Sequence, residues 1–145
     1  MNMNRIYDSF GFLFAKASNQ LQDKLSEFLS KNNLTPKHMG MILIIYENDG
    51  ITQKRAGEIQ QVDRTTVTQI IDYLEERGYV IRNRVANDRR AYGLSLSKAG
   101  ITMAEMIYNE ISEVQNKYLH KLSETEISTL KRMMILLTAE VEDIE

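Results

Sequence analysis

The feature that most constrains this chain is a change of hydrophobic period in its middle. Between residues 52 and 78 the apolar residues recur at the three- and four-residue steps of helix faces, and directly after Gly78 they begin to alternate. Thr52 reads as the N-cap of a short helix over residues 53–59, and Gln60-Gln61-Val62 forms a tight link. Asp63 caps a second helix over residues 64–77, which Gly78 ends as a left-handed residue. Alternation then runs from Val80 to Val85 and returns at Tyr92, Leu94 and Leu96, around the polar tip Ala86-Asn87-Asp88-Arg89-Arg90-Ala91. Two short helices joined by a few residues form a helix-turn-helix. A basic-tipped hairpin directly behind them is a wing.

The flanks are helical. Over residues 6–29, Ile6, Phe10, Leu13, Phe14, Ala17, Leu21, Leu25, Phe28 and Leu29 fall on one face, with more apolar surface than a lone outer helix needs. Thr35-Pro36 is an N-cap with proline at the first helical position. It opens an apolar helix suited to the centre of the domain, in which Gly40 implies a close helix contact. Asn48-Asp49-Gly50 is a turn. Ser97 caps a long helix to about residue 122, and Ser123 with Glu126 forms a capping box for a last helix. The expected fold class is therefore mainly α with a small β-hairpin wing. The chain reads as a single domain, 1–145, with dimerisation helices at 1–33 and 101–145 around a winged helix-turn-helix lobe at 34–100.

The two terminal segments carry more apolar face than one small lobe can cover, and twofold pairing is the commonest solution. Ile6, Phe10, Leu13, Leu130, Leu137 and Val141 are the expected dimerisation residues.

Composition excludes several classes. There is no cysteine, hence no disulfide and no thiol sensor. No segment approaches the roughly 20 apolar residues of a membrane span, and the N-terminus MNMNRIYDSFGF does not read as a signal peptide. A cytoplasmic protein without membrane partners is expected. The two histidines, His38 and His120, are distant in sequence, and no phosphate loop or nucleophile elbow accompanies them, so no enzyme is expected. No cofactor and no metal are expected.

The net charge of −2 hides an asymmetry. Residues 51–100 carry nine basic and six acidic side chains, a net of +3, which leaves −5 for the two ends together. A basic middle on an acidic frame suits an anionic partner.

On the second helix of the motif, Val67, Ile70, Ile71 and Leu74 form a stripe for burial, leaving Arg64, Thr65, Thr66, Thr68, Gln69 and Tyr73 outside. Glutamine can pair with an adenine edge, a threonine methyl with a thymine methyl, and the helix N-terminus with phosphate. Arg64, Thr65, Thr66, Thr68 and Gln69 are the expected DNA-reading residues of this recognition helix. On the wing, Arg89 and Arg90 suit a narrow minor groove, with Asp88 holding one arginine extended. Arg82 and Arg84 are expected on the wing's solvent face, within reach of the DNA backbone or simply solvated.

Together these residues resemble the MarR family of bacterial regulators over essentially the whole chain. Val62-Asp63-Arg64-Thr65-Thr66-Val67-Thr68-Gln69 with Leu74-Glu75-Glu76-Arg77-Gly78 is similar to that family's recognition helix. Asn87-Asp88-Arg89-Arg90-Ala91 is similar to its wing tip, and Leu94-Ser95-Leu96-Ser97-Lys98-Ala99-Gly100 to its exit into the fifth helix. The resemblance implies a homodimer on pseudo-palindromic double-stranded DNA, usually a repressor released by a small-molecule effector, here of unspecified identity. Ala56-Gly57 departs from the family's common leucine-alanine and leaves less volume under the recognition helix, meaning a looser lobe or compensation by a neighbour such as Ile59.

The principal alternative is a winged helix that binds protein without DNA, which would call for an apolar or acidic recognition face. A metal-sensing member would need ligands clustered around His38 or His120. Methionines such as Met39, Met41, Met103, Met106, Met133 and Met134 could line a ligand pocket or pack the core and dimer, and Tyr46, Tyr108 and Tyr118 carry the same ambiguity.

Overall fold

The computed structural model describes residues 5–85 and 88–139, without the side chains of Val85 and Asp88–Ala91. Among these residues six α-helices and a three-stranded antiparallel sheet follow one another as α1 (Phe10–Lys31), α2 (Pro36–Glu47), β1 (Ile51–Thr52), α3 (Gln53–Gln60), α4 (Arg64–Glu76), β2 (Val80–Val85), β3 (Asp88–Leu96), α5 (Lys98–Tyr118) and α6 (Glu124–Thr138).

The helix starts follow the side chains that accept the free N–H groups of the first turn. Thr35, Thr52, Asp63, Ser97 and Ser123 each cap the helix expected of them. The first helix differs from expectation. A 3-10 turn at Arg5–Asp8 precedes it, and Ser9, accepting from the Phe12 N–H, starts α1 afresh at Phe10. Ile6 therefore lies outside α1.

The core lies where α2 crosses α4 and α5, and Met41, Ile42, Ile45, Ile71, Leu74, Leu94 and Ile107 are its fully buried side chains. α2 is apolar nearly all round because it is enclosed by neighbours on most sides. At Gly40 the close neighbour is the amide of Gln60. Its Nε2 would sit 2.9 Å from a Cβ there, and it donates to the Lys37 carbonyl at 2.8 Å.

The sheet order is β1-β3-β2. β2 and β3 pair from Val80↔Leu96 to Arg84↔Tyr92, and the register shifts between Arg84 and Val85. β1 covers β3 only at Leu94 and Gly93. The sequence alone did not indicate β1. Past Gly93 the wing is a two-stranded ribbon. Its second strand begins at Asp88, so Asp88, Arg89 and Arg90 belong to strand backbone rather than to a loop tip.

Candidate nucleic-acid interface

α4 is held from below by apolar contact and from its start by its cap. Val67, Ile70, Ile71 and Leu74 are buried. Asp63 Oδ1 accepts from the Thr66 N–H at 2.7 Å, and this bond holds the Asp63 carboxyl below its ordinary range. The N-terminus of α4 thus points into solvent with a fixed orientation.

α3 approaches α4 closely because residue 57 is glycine. A Cβ there would meet Val67 Cγ2 at 2.6 Å. The small Ala56-Gly57 pair is therefore filled by Val67 of the recognition helix, and Ile59, 39% exposed, does not compensate. Behind α4, Gly78 adopts the expected left-handed conformation at φ 78°. Ser97 Oγ donates to the Gly78 carbonyl at 2.5 Å, tying the start of α5 to the end of α4.

Of the expected reading residues, Arg64, Thr65, Thr68 and Gln69 are exposed along one face of α4, and Thr66 is half-buried. The Thr68 hydroxyl is already engaged. It donates to the Arg64 carbonyl and accepts from Gln53 Nε2, each at 3.0 Å. Gln53 of α3 therefore belongs to this surface, although nothing in its sequence position singled it out beyond its place after the Thr52 cap.

Tyr73 differs from expectation. It turns back from the reading face, donates to the Asn33 carbonyl at 2.5 Å and stacks on His38 with ring centroids 4.3 Å apart. His38 Nδ1 accepts the Thr35 N–H at 3.0 Å, completing a capping box in which histidine takes the usual place of glutamate. Partial burial, then the charge of Arg77, lowers its pKa. His120 Nδ1 lies 2.8 Å from the Lys117 carbonyl. Among the described residues no group of three or more His, Asp or Glu side chains is placed to hold a metal ion.

Arg82 is the main correction to the expected wing. Strand alternation places it on the face that carries Val80 into the core, while Ile81, 45% exposed, points outward. Its guanidinium reaches α4 instead of solvent, with Nη2 2.6 Å from Asp72 Oδ1 and Nη1 3.4 Å from Glu75 Oε1. Arg84, two residues on, is exposed. The side chains of Asp88, Arg89 and Arg90 lie outside the described residues, as does the whole of Val141. A cleft of about 1150 Å³ separates α3 and α4 from the wing, bordered by Gln53, Lys54, Thr68, Asp72, Arg82 and Tyr92.

Away from this surface, apolar side chains stand uncovered. Phe10 is 73% and Leu137 69% exposed, Ile6 is exposed, and Leu13 and Leu130 are half-buried. Tyr46 and Tyr108 meet edge to face on α2 and α5. The Tyr108 hydroxyl donates to Glu47 at 2.6 Å, and its pKa is pushed up to about 12 by burial and by that carboxylate. Tyr118 donates to Gln20 at 2.5 Å, joining α5 to α1. Met41 and Met103 are core residues. No helix among the described residues is long and apolar enough to cross a membrane.

Known proteins share both the sequence and the shape. A protein assigned to regulation of the hcr operon in Thauera aromatica is 29% identical over 97 residues, 67% of this chain and 58% of that protein, so the chain spans under two thirds of that relative's length. A crystal structure from Pseudomonas aeruginosa, assigned as a transcriptional regulator, superposes with a TM-score of 0.81 at 26% identity, covering 92% of this chain and 99% of the other. A mutant MarR from E. coli, crystallised with operator DNA, has the same fold at a TM-score of 0.78 and 22% identity, covering 89% and 93%. The MarR family model matches residues 32–91, the segment holding α2, the helix-turn-helix and the wing. The fold is thus matched along nearly its full length, and in its motif region this chain is similar in sequence to the MarR family.

Proposed function

We propose that this protein is a sequence-specific DNA-binding transcriptional regulator, a homodimeric repressor on pseudo-palindromic operators, and not an enzyme. The observation that carries this reading is α4, whose apolar side is wholly committed to the core while Arg64, Thr65, Thr68 and Gln69 stand exposed beside a wing. Thr65, Thr66, Thr68 and Gln69 read base edges in the major groove, and Arg64 and the α4 N-terminus hold phosphate. Arg84 contacts the DNA backbone, and Arg89 and Arg90, oriented by Asp88, enter the minor groove.

Residues 34–100 form the reading lobe, and residues 1–33 and 101–145 the dimerisation region. The uncovered Ile6, Phe10 and Leu137, with Leu13, Leu130 and Val141, supply the twofold contact. A small molecule releases the DNA by favouring one spacing of the two lobes, which requires a difference in affinity between the arrangements. The partly exposed Tyr46 and Tyr108 offer aromatic surface for it.

Selection of sites from a random DNA pool tests the reading. An inverted repeat with half-site centres about 10 bp apart is expected, with affinity falling steeply as salt rises. Replacing Arg89 and Arg90 together by alanine lowers operator affinity about tenfold or more, the loss expected when minor-groove arginines are removed. If no sequence is enriched at low salt, the DNA reading fails and a protein-binding winged helix replaces it.

A further inference from the structure

We infer that Arg82 is a positioning residue: clamped by Asp72 and Glu75, it sets the angle of the wing against the recognition helix and does not itself touch DNA. The inference rests on the DNA-binding reading above but has a readout of its own.

The clamp stands at the root of the ribbon. Arg82 pairs in register with Leu94, and Leu94 is also paired with Ile51 of β1. One step further, at Asn83↔Gly93, the third strand ends. Beyond that level only β2 and β3 remain, with a register shift after Arg84. A two-stranded ribbon is marginally stable by itself. Its direction must be fixed where it leaves the body, and Arg82 is the charged side chain at that point.

The geometry suits a hinge stop. Asp72 and Glu75 lie one helical turn apart on α4, the spacing that puts two side chains on one face. The planar guanidinium spans both, one terminal nitrogen to each carboxylate. The Arg82 side chain is only 19% exposed, against 59% and 45% for Asp72 and Glu75, so the cation is the enclosed partner. Its Nε is buried and, among the described residues, has no hydrogen-bond partner. An arginine so enclosed reaches phosphate only by abandoning both carboxylates. The same helix that presents Gln69 outward therefore holds the wing through its next turn, and α4 and the ribbon meet DNA as one rigid unit.

The test removes the clamp from the carboxylate side, with Asp72→Asn/Glu75→Gln. This variant keeps Arg82 and takes away two negative charges. If Arg82 were a DNA contact restrained by the acids, or if charge alone governed binding, operator affinity would rise. The clamp predicts that it falls, by about fivefold or more, while affinity for non-specific DNA holds or rises. In this background Arg89→Ala/Arg90→Ala should cost less than about twofold, because a wing already misplaced loses little more.

Hydrogen exchange on DNA-free protein supplies the independent readout. Amides of residues 80–96 should exchange about tenfold faster in the variant, with the α4 core amides unchanged. Tighter operator binding by the variant, or unchanged wing exchange, overturns the clamp. Faster wing exchange in a protein whose wild type enriches no DNA sequence keeps the clamp and overturns the DNA reading instead.

Discussion

α4 and α6 are 13 and 15 residues long, and each carries apolar side chains at helical spacing, yet α4 buries Val67, Ile70, Ile71 and Leu74 whereas no residue of α6 is buried. The stripe on α4 has its partners within the chain, in α2, α3 and β2. On α6, by contrast, Met133, Ile135, Leu136 and Leu137 are all large and exposed. Amphipathicity thus specifies a helix and a face but not what covers that face. The contrast also divides the labour proposed for the molecule, with α4 completing its fold within one chain and α6 completing it only with a second copy.

The largest effect that could break this comparison is at Leu74, which is fully enclosed. Leu74→Ala should destabilise by about 2–5 kcal/mol through lost transfer energy and the cavity left behind. Chemical denaturation would show the same loss at every protein concentration if α4 is a within-chain element. A loss that vanished on raising the concentration would place α4 in the intermolecular interface instead.

Leu137→Asp is the matching change on α6. A carboxylate on a face meant to be buried against a twin should shift the protein towards monomer, read by sedimentation velocity, and weaken operator binding about tenfold or more, since one lobe then holds one half-site. The midpoint of denaturation should lose its dependence on protein concentration. A dimer as tight as wild type would remove α6 from the proposed interface.

Gly57→Ala tests the close approach of α3 to α4. The added methyl would meet Val67 Cγ2, and the overpacking should cost about 1–3 kcal/mol. Trimming the opposing side chain in Gly57→Ala/Val67→Ala should recover part of the loss. If Gly57→Ala is as stable as wild type, the two helices are less tightly set than the 2.6 Å approach implies.

Much of this was legible in the residues because local chemistry decided it. Thr35, Asp63, Ser97 and Ser123 cap helices wherever they have free N–H groups to accept, and Gly78 takes a left-handed turn that other residues resist. The reading face of α4 followed from one period. What escaped depends on partners distant in the chain. Either Val80 or Ile81 could have pointed inward, and that choice decides whether Arg82 meets solvent or α4. Tyr73 reads as exposed until the Asn33 carbonyl, 40 residues earlier, is brought beside it. Gln53 gains its place only because Thr68 comes within 3.0 Å. β1 has two residues, too few to produce a pattern.

The smallest expected effect lies at the other end of α4, where His38 links the cap of α2 to Tyr73 and Arg77. Its Nδ1 must be unprotonated to accept the Thr35 N–H. Its folded pKa is below the 6.5 of the unfolded chain, so the unfolded state binds the proton more readily. The contribution is complete above pH 6.5 and is lost as the pH falls below that value towards the folded pKa. Asp63 and Glu126 also have lowered pKa values, and their contributions fade only below the ordinary carboxylate range, in a separate window. His38→Gln keeps an acceptor for the cap without the titration. Its melting temperature should therefore fall less than that of wild type between pH 7 and pH 5, by about one or two degrees, and the two curves should run parallel above pH 7. Equal pH dependence in the two proteins would mean that protonated His38 keeps its stack on Tyr73 without the cap, and that the contact from α2 to the recognition helix rests on the ring pair alone.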